Sequence, residues 1–243
     1  MSEEPDESVE RLAPDVRQLL GRIWAGRAMS ELGAGSGFAQ VIVGLYAFGA
    51  HPEVLSLATR AAHQEVEHAR MCHALAELYL GEPVPMPIAK KVGMPPHEGA
   101  SDPLRATLHV IGLCCFNETI AVEFVARCRD AAEAPAVARA TSVHLRDEIG
   151  HARVGWAHLG SDRLDAADRR AIRRWMPRLV KANGEMWLER ISRLPERGVP
   201  GHGYPSVRDL HRGVRKALQE VVIPGLAEAG IDVSSAAREA RAL

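Results

Sequence analysis

Apolar residues recur every three or four positions over most of the chain, and no long Val/Ile/Thr alternation interrupts them. That period predicts an all-α fold. Alanine, leucine, arginine and glutamate, all good helix formers, fill the pattern. Pro14, Pro52, Pro103 and Pro135 each stand where a first-turn proline opens a helix, because its φ is preset and its missing N–H costs nothing there. Ser101-Asp102 ahead of Pro103 adds an N-cap signal. Helices are expected near 14–48, 52–80, 103–130 and 135–159, with two more near 164–194 and 206–222.

The connections say how these helices pair. The first and second are joined by a short turn, as are the third and fourth, so each pair reads as an antiparallel hairpin. Between the hairpins lies a Pro/Gly-rich stretch, from Gly81-Glu82-Pro83 to His97-Glu98-Gly99. A helix of about 28 residues is roughly 42 Å long. About 20 extended residues span that length. The stretch can therefore carry the chain back along the bundle, which predicts a four-helix bundle with one long crossover and additional C-terminal helices. The expected domains are a disordered tail over 1–12, the bundle over 13–160 and a helical extension over 161–243 packed upon it.

Composition narrows the function classes. A formal net charge of −1 gives no global attraction to nucleic acid or to an anionic membrane. No window reads as the roughly 18 apolar residues of a membrane span. The acidic N-terminus lacks the pattern of a secretory leader, so a cytoplasmic protein is expected. Cys72, Cys114, Cys115 and Cys128 form no C-x-x-C pair and read as buried free thiols.

The chemistry lies in an internal repeat. Glu65-Val66-Glu67-His68-Ala69-Arg70 in the second helix matches Glu148-Ile149-Gly150-His151-Ala152-Arg153 in the fourth. Each copy is preceded, on the partner helix, by a glutamate: Glu31 lies 34 residues before Glu65, and Glu118 lies 30 before Glu148. One Glu-x-x-His is expected about once by chance in such a chain, so the conjunction carries the weight. Glu and His three apart project from one helix face. Two such helices and two more glutamates supply four carboxylates and two imidazoles, a donor set that suits two iron ions, or manganese. Four carboxylates in a bundle core demand cations to balance them.

Helical phase selects among the acids. Glu118 shares a stripe with Ile111, Cys114, Ala121 and Val125, whereas Glu123 falls off it. Glu31 shares one with Trp24, Ala34, Gly35, Phe38 and Ile42, and Glu67 points away from the Glu65/His68 face. Asp147 and Gln64, just ahead of the two helix glutamates, are expected to bond across the site to the outer nitrogens of His68 and His151 respectively. His144 precedes Glu148 by four residues on the same face and replaces the Ala61 of the first copy. It is expected as a third histidine ligand on one metal, against the alternative of a hydrogen-bonded core histidine. His158 lies too far along the axis to bind the same ion, and the other histidines read as surface or loop residues.

At Glu31, Glu65-x-x-His68, Glu118 and Glu148-x-x-His151 the chain resembles the ferritin-like di-iron carboxylate superfamily, over roughly residues 20–160. His144-x-x-x-Glu148-x-x-His151 looks more like the di-iron arylamine N-oxygenases of antibiotic biosynthesis, which use an additional histidine in the last bundle helix. That resemblance implies a reduced di-iron centre that takes O2 as co-substrate, draws on an electron donor and oxidises an amine.

Three functions follow as expectations. The first is a di-iron oxygenase acting on a small organic molecule. The second is a ferroxidase or peroxide-detoxifying protein, and the third a non-enzymatic helical interaction protein. The cluster Gly33-Ala34-Gly35-Ser36-Gly37 beside Glu31 either opens room for a substrate or lets helices pack closely. The amphipathic run through Trp175, Leu179, Val180, Trp187 and Ile191 either walls a pocket or forms a homodimer face.

Overall fold

A computed structural model describes residues 6–243 and is all-α, with two isolated β-bridges and no strand among the described residues. The four long helical segments are α2 (Pro14–Phe48), α3 (Pro52–Leu80), the continuous stretch α4 (Asp102–Val110) to α5 (Glu118–Asp130), and α6 (Pro135–Leu159). All four starts carry the expected proline in the first turn. Gly49 and Gly81, at φ 71° and 73°, close α2 and α3 in the left-handed region where glycine has no Cβ penalty. α2 pairs with α3 and α5 with α6, while α3 packs on α6 and α2 on α4, so the four close into a bundle.

The crossover 81–101 carries no helix and lies against the small-residue face of α2. The Val92 N–H donates to Ser36 Oγ at 3.1 Å, and Gln40 Nε2 donates to the Val92 carbonyl at 2.9 Å. A Cβ at Gly33 would sit 3.5 Å from Val92 Cγ1, and one at Gly35 would sit 3.3 Å from Glu65 Cβ. The glycines therefore let both the crossover and α3 approach α2 closely.

Three features differ from the pattern's expectation. Between α4 and α5 the turn widens to a π-helix over Ile111–Asn117, and the Glu118 N–H bonds back to the Leu113 carbonyl. Such bulges recur at functional sites. Gly155 of α6 faces this segment, where an added Cβ would lie 2.5 Å from Cys115 Sγ. The fifth expected helix is broken into α7 (Ala166–Arg173) and α8 (Met176–Ser192). Pro177 accounts for the break, since it has no N–H for the Arg173 carbonyl and its ring would clash there. The sixth runs on as α9 (Val207–Lys216), a second π-segment (Ala217–Val222) and α10 (Ile223–Glu228), and α11 (Ser234–Ala242) was not anticipated.

The tail expected over residues 1–12 also needs correction from Asp6 on; residues 1–5 lie outside the described ones. α1 (Glu7–Glu10) is a single turn whose Asp6 cap accepts from the Ser8 N–H at 3.1 Å. Val9, buried to 1% exposure, joins the core around Leu20 and Trp24 and holds the turn down. Contrary to the expectation that no window reads as a membrane span, the stretch Asp102–Asp130 is long and apolar enough to cross one, with a mean hydropathy of 1.5 over 18 residues, but 67% of that window is buried in the fold. Its apolar surface is covered by the C-terminal helices through Trp187, Leu218 and Ile191 among others. The extension thus packs upon the bundle with one shared core.

Candidate metal centre

Six of the seven expected ligands are buried in the bundle: Glu65, His68, Glu118, His144, Glu148 and His151 are each at most 2% exposed. Glu31 is the partial exception, with 12% of its side chain exposed, and the centre opens on that side. Two groups of ligand atoms converge within 4.8 Å of one another, Glu31/His68/His144/Glu148 and Glu65/His68/Glu148/His151. His151 Nδ1 lies 3.1 Å from Glu65 and 3.5 Å from Glu148, and 3.9 Å from Glu118 Oε2. His68 Nδ1 lies 3.7 Å from Glu65 and 3.8 Å from Glu148. All four bundle segments therefore contribute to one cluster. Glu118 enters it directly after the π-segment.

Both Glu65 oxygens, Glu148 Oε2, His68 Nδ1 and His151 Nδ1 are buried without a hydrogen-bond partner. A buried polar atom left unmade costs about 1–3 kcal/mol, and more when charged. These five atoms belong to the two converging groups, which could hold metal ions. Four glutamates match the charge of two divalent ions, and the mix of oxygen and imidazole nitrogen suits iron or manganese.

The electrostatics tell the same story. Burial pushes the Glu118 carboxyl well above the carboxylate range, and the carboxylates of Glu148 and Glu65 push it further. Burial likewise raises Glu31, against the opposing pull of His144 and Arg27. Burial disfavours charge on His151 too, yet Glu148 and Glu65 outweigh it and push the imidazole up to about 10. Burial would raise Glu148, but the neighbouring imidazoles of His144 and His151 hold it well below its usual range. In this arrangement protons do part of the balancing that cations would do.

The outer nitrogens are held from across the site. His68 Nε2 lies 3.3 Å from Asp147 Oδ2, and His151 Nε2 lies 3.2 Å from Gln64 Oε1. Each imidazole thereby turns Nδ1 inward, the orientation a ligating ring needs. No family model, curated protein or solved structure matches this chain. The site's own geometry and chemistry are what the functional reading stands on.

His144 stands apart. Its Nε2 lies 2.8 Å from Glu148 Oε1, while its Nδ1 lies 3.1 Å from Arg27 Nη2. Arg27 was not singled out from sequence, although its place four residues before Glu31 on α2 is a readable pairing signal; the two side chains lie 3.7 Å apart. Asn117 was also missed. Its Nδ2 donates to Glu118 Oε1 at 3.0 Å, and its Oδ1 accepts from Trp187 Nε1 at 3.0 Å. The C-terminal extension thus reaches the centre through α8. Glu123 pairs with Arg127 and Lys216, and Glu67 with Arg70, both away from the cluster. His158 bonds Thr107 Oγ1 at 3.3 Å in the core. His97 and His202, expected at the surface, are each 8% exposed; they pack against Trp175 and Tyr79. The four cysteines are free and buried.

A cavity of about 630 Å³ adjoins the cluster on the Glu31 side. Its walls include Glu31, Glu65, Glu118, His144 and Glu148, and beyond them Phe124 and Trp187. Gly33 and Ala34 of the small-residue run line it as well, so that run serves both close packing and open space.

Proposed function

We propose that the chain is a non-haem dinuclear metalloprotein, an oxygenase whose two ions, iron by preference, activate O2 to oxidise a small organic molecule. The observation that carries this reading is the set of buried, unpartnered carboxylate and imidazole atoms beside a cavity of small-molecule size. Glu31, Glu65, Glu118, Glu148, His68 and His151 would hold the ions. Bound there, the metals would supply electron transfer to O2 and Lewis acidity. Asp147 and Gln64 fix the two imidazoles, and Asn117, held by Trp187, fixes the Glu118 carboxylate. The bundle core buries five of these six ligands, and the cavity on the Glu31 side would admit substrate. The resemblance in ligand pattern makes amines the first substrates to try, with an external electron donor.

The cavity favours this reading over iron oxidation, because a ferroxidase needs no organic pocket walled by Phe124 and Trp187. The test begins with metal content after anaerobic Fe(II) loading, where about two ions per chain and a raised Tm are expected. O2 consumption is then followed with reductant, with and without a panel of aryl amines. Substrate-dependent O2 uptake with an oxygenated product supports the oxygenase. Mineralisation of excess Fe(II), indifferent to any amine, would replace it with a ferroxidase. A chain that binds no metal sinks both.

A further inference from the structure

The crossover is pinned to the bundle at three places. Near its start, the Val84 carbonyl accepts from His73 Nε2 at 2.7 Å and the Val84 N–H donates to Glu77 Oε1 at 3.1 Å. In its middle, Val92 bonds Ser36 and Gln40 of α2 and lines the cavity, while Ile88 is 80% exposed and Lys90, Lys91 and Gly93 face solvent. At its end, His109 Nε2 of α4 donates to the Pro95 carbonyl at 2.8 Å, and Arg105 donates to the carbonyls of Pro96 and Ala100, each at 2.9 Å. His97 sits inside this last grip. It is the one non-glycine among the described residues with a positive φ, 44°, which neighbours must impose on such a residue. It is buried, its ring lies 5.3 Å from that of His109 and edge-on to Trp175 at 5.2 Å, and its Nε2 has no partner. The charged groups about it are Arg105 and His109 from α4, Arg178 of α8 beyond the Trp175 ring, and the exposed Glu98 next in the chain, while Asp102 is taken up by Arg105. Burial first, then the charges of His109 and Arg105, push the His97 imidazole below its ordinary value. A proton there adds a buried cation to like charges.

We propose that His97 is an acid-sensitive latch on the crossover: its protonation drives the ring from its place against Trp175, releases residues 88–101 and frees Val92 from the cavity wall. This rests on the dinuclear reading above only for what the opened cavity serves. The latch is closed above about pH 6.5, where the ring is neutral whether the loop is shut or open, and it loosens as pH falls toward the lowered folded value. Release also lets residue 97 leave its left-handed conformation. The first pin does not share this behaviour, because a protonated His73 still donates to Val84 and lies 3.8 Å from Glu77.

Amide hydrogen exchange of the full chain, corrected for the intrinsic rate at each pH, reads this opening segment by segment. Between pH 7 and 5, exchange over 88–101 should accelerate at least about threefold, and the open loop's ordinary imidazole value of about 6.5 caps the effect at about thirtyfold. Residues 81–86 should not share it. His97→Asn keeps a residue that tolerates positive φ and has nothing to titrate, so exchange over 88–101 should stay flat within about twofold. His109→Gln keeps an amide donor for Pro95 and removes a like charge, so it should shrink the acceleration without abolishing it. An acceleration that survives His97→Asn overturns the latch. So does one spread evenly over the whole crossover and α2, which would mean that the bundle loosens as a unit. Acid release in a chain that binds no metal would keep the latch and sink the dinuclear reading. Metal binding with exchange over 88–101 indifferent to pH would sink the latch alone.

Discussion

Arg27 Nη2 lies 3.1 Å from His144 Nδ1, and this contact decides what His144 can do. A guanidinium only donates, so Nδ1 must accept. The ring's proton is then on Nε2, 2.8 Å from Glu148 Oε1. A neutral imidazole in that tautomer has no lone pair left to offer a metal through Nε2. His144 in this state orients a ligand, Glu148, and the third-ligand role expected from sequence requires it to give up Arg27. His144→Ala should accordingly leave about two metals per chain with affinity lowered about 10- to 100-fold, whereas His151→Ala should lose far more. Loss of one metal per chain in His144→Ala, measured by elemental analysis, would show that the ring turns and ligates.

The supports of the cluster should matter almost as much as the ligands. Asp147→Ala removes the acceptor 3.3 Å from His68 Nε2, and Trp187→Phe removes the donor that holds Asn117 beside Glu118. Each should reduce metal affinity about 10- to 100-fold in chelator competition, with helix content unchanged. Trp187→Phe is the sharper case, because it changes a residue of α8 that carries no ligand. Equal affinity in that variant would mean the extension only covers the bundle.

Much of this was legible because it is local. First-turn prolines marked all four long helices, and the Glu-x-x-His repeat placed Glu65, His68, Glu148 and His151 on single helix faces. The partners Asp147 and Gln64 followed from the repeat's symmetry. What escaped depends on tertiary contact. Tyr204 reaches the cavity from a loop before α9, and no period predicts where a loop side chain will land. The π-segment before Glu118 left no pattern in the apolar stripe, since Ile111, Cys114, Ala121 and Val125 are buried as an α-helical reading also expects. The amphipathic run reads as one helix over 164–194, and only Pro177 within it signals the break between α7 and α8.

Gly155→Ala tests how tightly α6 must approach that π-segment. The added methyl would lie 2.5 Å from Cys115 Sγ and 2.9 Å from the Cys115 backbone nitrogen. Backbone cannot yield as a flexible side-chain end can, so overpacking should cost about 1–3 kcal/mol by urea denaturation, more than any helix-propensity gain. Because the shift would displace the turn leading into Glu118, metal affinity should fall as well. Unchanged stability would mean that the two segments part without penalty.

The last expectation concerns pH. His158 is 1% exposed, bonds only Thr107 and has no partner at Nδ1. Burial alone pushes its imidazole down to about 4. Its folded pKa therefore lies below the unfolded value of about 6.5, and the unfolded chain binds more protons between those limits. Stability from the neutral ring is fully present above about pH 6.5 and is lost as pH falls toward 4, by about 3 kcal/mol over that window. His158→Gln keeps an amide donor for Thr107 and has nothing to titrate. Its urea midpoint, measured on metal-free protein to remove ligand release from the comparison, should fall less than the wild type's between pH 7 and 4. Parallel profiles for the two proteins would mean that His158 accepts its proton in the core, and that water or a carboxylate reaches Nδ1 after all.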